Sequence, residues 1–423
     1  MNVIFRKIKK AVIIAFGVTV LTAGAMSIFS SDWRAQVQMD MTVSEPVSPV
    51  KEKAITGVDK KKIDGIIKKQ MSKDPSEYNT DWFGTMLIAG LFKWHDAGYP
   101  EVVEYTSKWL DYHYESHKTV SDEEFHRRTS AACSTVVRGY SLLFGMYSGY
   151  FGVSFVCGPL YQLTGNEMAR QVCKDAGDII LNIFPRNELG ILQMNEQNDG
   201  LTIPDNAYFL VPSLFIAARA YDKEVSEGDK EAKEAQDKLM AFGFDQLKRF
   251  TDLFLDREKK IAKTLYRNGK LGETYWTRAN GWLLWSIVES VEYMDKDSEL
   301  YRYACEALDI MAQGISKYQD SSGALHLLVD EDDTPLETTG TLFTAYGIHK
   351  AVRLGWIDKK YLDIAVKAWN YIDTQVDYEG NIAGCYIDWA VPAEERRLNS
   401  FGVLNFVPGM MLTTSAEFEQ KVK

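Results

Sequence analysis

From residue 59 onward, apolar and polar positions follow the period of amphipathic helices arranged in pairs. A helix ends in a short polar turn, and a second amphipathic helix follows, as in "LFKWHDAGYPEVVEYTSKWLDYHYES" and "IHKAVRLGWIDKKYLDIAVKAWNYIDTQV". In the second segment, apolar residues fall at i, i+3, i+4 and i+7, which is the spacing of one helix face, at Tyr361, Ile364, Ala365 and Ala368. Turns such as "DAGYP" and "RLGWID" place glycine where a helix ends. The pattern therefore predicts a chain of helical hairpins.

The second helix of each predicted hairpin recurs at a nearly constant interval of roughly 60–70 residues, as repeat architectures do. These helices lie near Trp109, Ile179, Leu247, Ile310 and Trp369. Strand signals are short and few, and "GALHLLVD" at 323–330 is the best of them. The interval and the length predict six hairpins closed into an all-α (α/α)6 barrel, a single domain over residues 59–423. In such a ring, the loops before the inner helices surround a central cavity, so the residues there become site candidates.

The front of the chain has a different composition. Four basic residues between positions 6 and 10 precede an apolar run over residues 11–29, which is the layout of an export signal. The run is also close to the length that spans a bilayer. We therefore expect residues 1–33 to be a signal peptide or an uncleaved membrane anchor, and residues 34–58 to be a linker. The protein would be exported, to the periplasm or the extracellular space, with attachment to the membrane through residues 11–29 if the signal is retained.

Composition narrows the classes of function. A 46% share of hydrophobic residues and 25% of charged residues is typical of a globular protein, and the net charge of −11 argues against a nucleic-acid surface. The sequence contains no H-E-x-x-H, G-x-S-x-G or phosphate-binding loop pattern, and its five cysteines show no zinc-ligand spacing. We therefore expect no metal and no cofactor.

Asp205 is the candidate catalytic residue. It stands in "TIPDNAYFLVPSLFIAARAY", where Pro204-Asp205-Asn206 leads into a strongly apolar helix. One interpretation is an N-cap, in which the carboxylate accepts backbone N–H groups of the first turn. The other is a general acid at the mouth of an inner helix. The two conflict, because N–H donors lower the pKa of a carboxyl group and a general acid needs a raised one.

The segment "YWTRANGW" at 275–282 combines an arginine with indole rings. Asn280 and Gly281 suit a helix start, and Trp285 fits a core side chain. Arg278 must point to solvent, to a carboxylate or into a polar cavity, because an unpaired buried guanidinium is costly. With Trp276, Trp282 and Asn280, it is a plausible binding surface for a sugar acid, in which the guanidinium holds the carboxylate and an indole face stacks on the ring.

A third polar loop leads into a helix at "DTPLETTGTLFTAYGIHKAVRLG", residues 333–355. Thr338, Thr339 and Thr341 are cap candidates there, and Glu337 is either a solvated loop residue or an acid of the cavity. We count Glu337 and Thr338 among the candidate substrate contacts. His326 and His349 are expected at the surface or in the core.

Taken together, these three segments resemble the unsaturated glycuronyl hydrolases, glycoside hydrolase families 105 and 88. "YWTRANGW" is similar to the family's F-W-A-R-G-N-G-W, and the Glu337 and Asp205 segments are similar to its E-T-S-x-T-x-x-F-A-Y-G-L and V-D-x-x-F-M-x-x-P-F-L-A patterns. The resemblance spans roughly residues 80–415. It implies an (α/α)6 barrel and an oligosaccharide substrate with an unsaturated uronic acid at its end.

The resemblance also implies a reaction. Asp205 would protonate C4 of the C4=C5 double bond, water would add at C5, and the resulting hemiketal would open. Arg278 and Trp282 would hold the uronate. Two departures mark a divergent member: "SGYFGVSFVCGP", ahead of "LYQLTG", lacks the family's second aspartate, and Asn268 stands where the family has histidine.

Two other functions remain open from the sequence. One is a conventional (α/α)6 glycosidase that uses Asp199 or Glu337 as a second acid. The other is a non-catalytic glycan-binding or envelope protein that has kept the fold.

Overall fold

A computed structural model describes residues 57–128, 135–196, 200–387 and 400–422. The expected signal or anchor, nearly all of the expected linker, and Asp199 lie outside these residues. In the described ranges, no helix is both long and apolar enough to cross a bilayer.

The described ranges contain fourteen α-helices, and all but the short α4 and α8 alternate between an inner and an outer layer. In chain order they are α1 Lys60–Met71, α2 Trp82–Phe92, α3 Glu101–Ser116, α4 Asp122–Arg128, α5 Ser154–Thr164, α6 Glu167–Asn182, α7 Pro204–Arg219, α8 Asp222–Ser226, α9 Lys230–Phe254, α10 Thr277–Val291, α11 Glu299–Tyr318, α12 Thr338–Arg353, α13 Leu362–Thr374 and α14 Val407–Phe418. The predicted second helices near Trp109, Ile179, Leu247, Ile310 and Trp369 are confirmed as α3, α6, α9, α11 and α13.

Six helices form the inner ring, and their sequences are apolar on almost every side because neighbours cover them all round. They are α2, α5, α7, α10, α12 and α14, and a 3₁₀-helix, Ser148–Val153, leads into α5. Successive inner helices pack on one another, and α14 packs on α2, which closes the ring. The outer partners are α3, α6, α9, α11 and α13, with α1 placed beside α14. The (α/α)6 barrel predicted from the sequence is therefore confirmed.

Two pairs of glycines allow inner helices to approach closely. A Cβ at Gly281 would lie 2.4 Å from the side chain of Phe343, and one at Gly340 would lie 2.3 Å from the hydroxyl of Thr277, so α10 and α12 meet almost at backbone distance. At the closure of the ring, a Cβ at Gly90 would lie 2.3 Å from the carbonyl oxygen of Gly409. Side chains larger than hydrogen would push these helices apart.

Strands are limited to two-residue pieces in the loops. The described antiparallel pairs are β1 Val136–Val137 with β2 Phe144–Gly145, β3 Leu255–Asp256 with β4 Ile261–Ala262, β5 Tyr266–Arg267 with β6 Lys270–Leu271, β7 Leu325–His326 with β8 Leu336–Glu337, and β9 Cys385–Tyr386 with β10 Phe401–Gly402. The predicted strand at 323–330 is confirmed only as β7. Most of these pairs precede inner helices and shape the face of the ring where those helices begin.

Candidate active site

The start of α7 positions Asp205. Ile203 is the extended residue before the helix, Pro204 takes its first position, and the Oδ1 atom of Asn206 accepts the N–H of Ile203 at 2.9 Å. Proline is suited to the first helical position because its fixed φ is already helical. The N-cap interpretation of Asp205 is wrong, because Asp205 lies inside the helix and Asn206 bonds the backbone that precedes it.

Because it does not cap α7, the carboxyl group of Asp205 is available for another role. Its Oδ2 atom is buried and has no hydrogen-bond partner among the described residues. Burial raises the pKa of Asp205 to about 7, although the charge of Arg278 and a backbone hydrogen bond oppose the shift. Burial disfavours the charged form of an acid, so this carboxyl holds a proton near neutral pH. It has the property that a general acid requires.

Arg278 lies in the first turn of α10, the inner helix that packs against α7. It is only 4% exposed, so solvent is excluded among the three orientations that the sequence allowed. Its guanidinium carbon lies 4.1 Å from the ring centre of Trp276, and its Nη1 donates to the carbonyl oxygen of Tyr386 at 2.7 Å. Burial lowers the pKa of Arg278, and the charges of Glu337 and Asp205 oppose this. The site therefore brings an arginine that lies over an indole ring together with an acid whose pKa is raised.

Asn280 anchors the first turn of α10. Its side chain accepts the N–H of Ala262 and donates to the carbonyl oxygens of Ala262, at 2.9 Å, and of Trp276, at 3.0 Å. The helix begins at Thr277, so Asn280 is not its start. The amide fixes the strand pair β3–β4 against the helix that carries Arg278.

Glu337 caps α12 and is fully buried, so of its two interpretations the solvated loop residue is excluded. Its Oε1 accepts the N–H and hydroxyl of Thr339 and, at 3.1 Å, the N–H of Tyr386, while Oε2 accepts the N–H of Gly340 at 2.7 Å. Thr338 is the first residue of the helix, and its N–H donates to the carbonyl oxygen of Gly384 at 2.9 Å. The carboxylate of Glu337 orders the loop next to Arg278. It also interacts electrostatically with the guanidinium of Arg278.

Trp282 lies in a cluster of aromatic side chains inside the ring of helices. It is fully buried, and its ring centre lies 4.3 Å from that of Phe343, 5.0 Å from that of Tyr208 and 5.2 Å from that of Phe209. Its indole nitrogen is buried without a hydrogen-bond partner in the described part of the chain. Neighbouring side chains cover the faces of the Trp282 ring, whereas Arg278 lies over the ring of Trp276.

Asn268, the residue at the position of the family histidine, lies at an exposed turn. It has a φ of +52° and joins β5 to β6 together with Gly269. Asparagine followed by glycine is the preferred sequence for such a hairpin turn, because both accept left-handed backbone. The geometry of this turn is therefore enough to explain why asparagine occupies position 268.

The sequence reasoning missed Tyr147 and Ser148. The Nδ2 atom of Asn206 donates to the hydroxyl of Ser148 at 2.9 Å, and this bond ties the start of α7 to the segment that leads into α5. Ser148 and Asn206 are both buried. No sequence motif includes Tyr147 or Ser148. The only signal available from the sequence was that Ser148 is polar and could pair with Asn206. No group of three metal-ligating side chains occurs among the described residues.

A closed ring of six helical hairpins, with an acid and an arginine at the starts of neighbouring inner helices, is the architecture of an (α/α)6-barrel glycoside hydrolase. The sequence model described as Glycosyl Hydrolase Family 88 matches residues 55–420, and the chain belongs to that family.

Relatives are distant and share the fold over most of their length. The unsaturated rhamnogalacturonyl hydrolase YesR of Bacillus subtilis is 20% identical over 312 residues, which cover 72% of this chain and 78% of YesR. A structure described as a possible member of the GH105 family, from Salmonella enterica, has a TM-score of 0.69 at 16% identity and covers 90% of this chain and 98% of its own. The unsaturated glucuronyl hydrolase of Bacillus sp. GL1 has a TM-score of 0.58 at 15% identity, with 85% and 94% covered.

Proposed function

We propose that the protein hydrates the C4=C5 double bond of an unsaturated uronyl residue at the end of an oligosaccharide. The observation that carries the proposal is the state of Asp205, which is partly buried with its Oδ2 atom fully buried, is free of any capping role and has a pKa of about 7. Family membership and the similarity to YesR and to the unsaturated glucuronyl hydrolase support the substrate class.

In the proposed reaction, the protonated carboxyl of Asp205 gives its proton to C4, and the electrons of the double bond form the new C4–H bond. Water adds to the cationic C5, and the Asp205 carboxylate takes the proton that the water releases. The hemiketal then opens and frees the remaining sugar chain. One acid/base suffices, whereas ordinary glycosidases use two carboxyl groups.

Arg278 is the proposed partner of the uronate carboxylate. Its guanidinium lies on Trp276 and acts electrostatically on Asp205, so a bound carboxylate would lie beside the acid. A planar guanidinium binds a carboxylate through two parallel hydrogen bonds, and this fixes the orientation of the sugar.

The conventional glycosidase is less well supported. Glu337 is fully buried, and both of its oxygens accept hydrogen bonds from α12 or from Tyr386. A second acid of that kind would have to give up its capping role, and Asp199 lies outside the described residues.

The test is the ultraviolet absorbance of lyase-generated oligosaccharides, which disappears when the conjugated double bond is hydrated. We expect the wild type to remove it from at least one of the pectic, glycosaminoglycan and ulvan-type fragments, and Asp205→Asn to abolish the loss. Asp222→Asn is the matched control, because Asp222 is an exposed residue beyond the far end of α7. No loss of absorbance with any fragment would refute the proposal, and release of reducing ends from saturated chains would favour the conventional glycosidase.

A further inference from the structure

The segment before α5 brings a tyrosine to the start of α7. Tyr147 precedes Ser148, whose hydroxyl is bonded to Asn206, and Asn206 follows Asp205. Tyr147 also forms a single antiparallel bridge with Asn195, and the N–H of Ser148 donates to the carbonyl oxygen of Met194 at 3.0 Å. The backbone of this segment is therefore fixed on both sides, next to the helix that carries the acid.

Packing also fixes the ring of Tyr147. Its centre lies 6.3 Å from that of Tyr150 at a nearly perpendicular angle. A Cβ at Gly149 would lie 2.7 Å from Cε1 of Tyr147 and 2.9 Å from Cδ1 of Trp82, so the glycine leaves room for the tyrosine and the tryptophan to approach each other. A side chain that is held in one orientation presents its hydroxyl at a defined point.

The hydroxyl group of Tyr147 makes no hydrogen bond within the described residues, and the side chain is partly exposed. Burial raises the pKa of the phenol above its ordinary value, and the charges of Asp205 and then Asp81 raise it further. The phenol is thus neutral near neutral pH. Tyr147 is next in sequence to Ser148, which is bonded to the residue after Asp205, and no direct hydrogen bond joins Tyr147 and Asp205 within the described residues.

We propose that Tyr147 is a further catalytic residue, whose hydroxyl hydrogen-bonds to the water that adds to C5 and holds it beside Asp205. This inference rests on the proposed hydration. Tyr147 gains and loses no proton in the reaction: the proton from water goes to the Asp205 carboxylate, and the hydroxyl only orients the water. The hydroxyl supplies a polar group at a site where the segment that leads into α5 has no carboxylate.

The experiment compares Tyr147→Phe with Tyr140→Phe. Phenylalanine keeps the ring packing at position 147 and removes only the hydroxyl. Tyr140 is the matched control, because it belongs to the same segment and its hydroxyl donates to the carboxylate of Asp178, on an outer helix. We expect Tyr147→Phe to lower kcat for absorbance loss by about tenfold or more, as the loss of a positioning group in acid–base catalysis does. KM should change little, and Tyr140→Phe should match the wild type.

A second readout does not depend on turnover. The titration of Asp205 in the resting protein is followed by infrared spectroscopy, through the protonated-carboxyl band that Asp205→Asn removes. A hydroxyl linked to the carboxylate through water stabilises the charged form. We therefore expect Tyr147→Phe to move the Asp205 titration to higher pH, while Tyr140→Phe leaves it in place. A wild-type kcat in Tyr147→Phe would overturn the inference, and so would an Asp205 titration that Tyr147→Phe leaves unmoved.

The two proposals fail in different ways. If the wild type acts on no unsaturated uronide, the proposed function fails. The titration still shows whether the Tyr147 hydroxyl shares a water with Asp205, and an unmoved titration would overturn the inference on its own.

Discussion

The guanidinium of Arg278 holds the pKa of Asp205 below the value that burial alone would give it. The two residues belong to the first turns of α10 and α7, which are neighbours in the inner ring. Burial and the positive charge act in opposite directions, and their balance leaves the carboxyl with a pKa of about 7. A change at either residue should therefore alter both the pH profile and the binding of an acidic sugar.

Two substitutions of Arg278 distinguish the effect of its charge from the effect of its planar shape. Arg278→Lys keeps the charge but loses the planar pair of donors, so kcat/KM should fall about 10- to 100-fold through KM, the size expected for lost charge-assisted hydrogen bonds. Its pH profile should stay near that of the wild type. Arg278→Gln removes the charge, so the basic limb of the profile should move to higher pH as well. Identical profiles for the two variants would contradict the electrostatic link.

Asp205 should also make the stability of the protein depend on pH. Its pKa is about 7 in the folded protein, whereas an unfolded chain has an ordinary value of about 3.9. Because the folded state binds the proton more tightly, stability is fully present below pH 4 and falls as the pH rises through 7. Asp205→Asn removes this loss. We expect the Tm of the variant to exceed that of the wild type at pH 8 by more than at pH 5, as measured by calorimetry.

Lys350 is predicted to be essential for stability at the opposite end of the inner helices. It is 5% exposed, and its Nζ lies 3.0 Å from Glu289 and 3.1 Å from Glu292. Lys350→Met would remove the cation that is paired directly with Glu289 and should destabilise the fold by about 3–5 kcal/mol, the cost of breaking a buried ion pair from one side. Urea unfolding measures this. Lys367→Met, at a pair with more than half of each side chain exposed, is the control and should change little.

Asn206 should couple the stability of α7 to the geometry of the site. Asn206→Ala removes the acceptor for Ile203 and leaves the buried hydroxyl of Ser148 without its donor, which should cost about 1–3 kcal/mol. Because the same bonds place Asp205 and Tyr147 together, kcat should fall by more than in Asn182→Ala. Asn182 ends α6, and in the described part of the chain its side chain bonds to the exposed Asp178. Equal kcat values for the two variants would show that the tie to Ser148 has no catalytic role.

The periodicity of the chain predicted the ring because each outer helix covers a local apolar stripe, such as the one that includes Ile364, Ala365 and Ala368. The roles of individual polar residues depend on distant partners instead. Glu337 is buried because Tyr386, 49 residues further along, contributes an N–H donor. Asp205 is not the cap of its helix, because the side chain of Asn206 turns back to the N–H of Ile203. No local pattern marks such contacts, and the same holds for the burial of Trp282 by aromatic rings from two other inner helices.

Closure of the ring has a consequence for the order of events during biosynthesis. The indole N–H of Trp94, just after α2, donates to the carbonyl oxygen of Leu412 in α14, across 318 positions of sequence, and Gly90 meets Gly409 in the same interface. Until the ribosome has delivered residues 407–418, the first inner helix has no lateral neighbour on that side, and its tryptophan and phenylalanine side chains stay open to water. Nascent chains should therefore depend on chaperones until α14 has been synthesised, and a stop codon before α14 should mark the product for proteolysis.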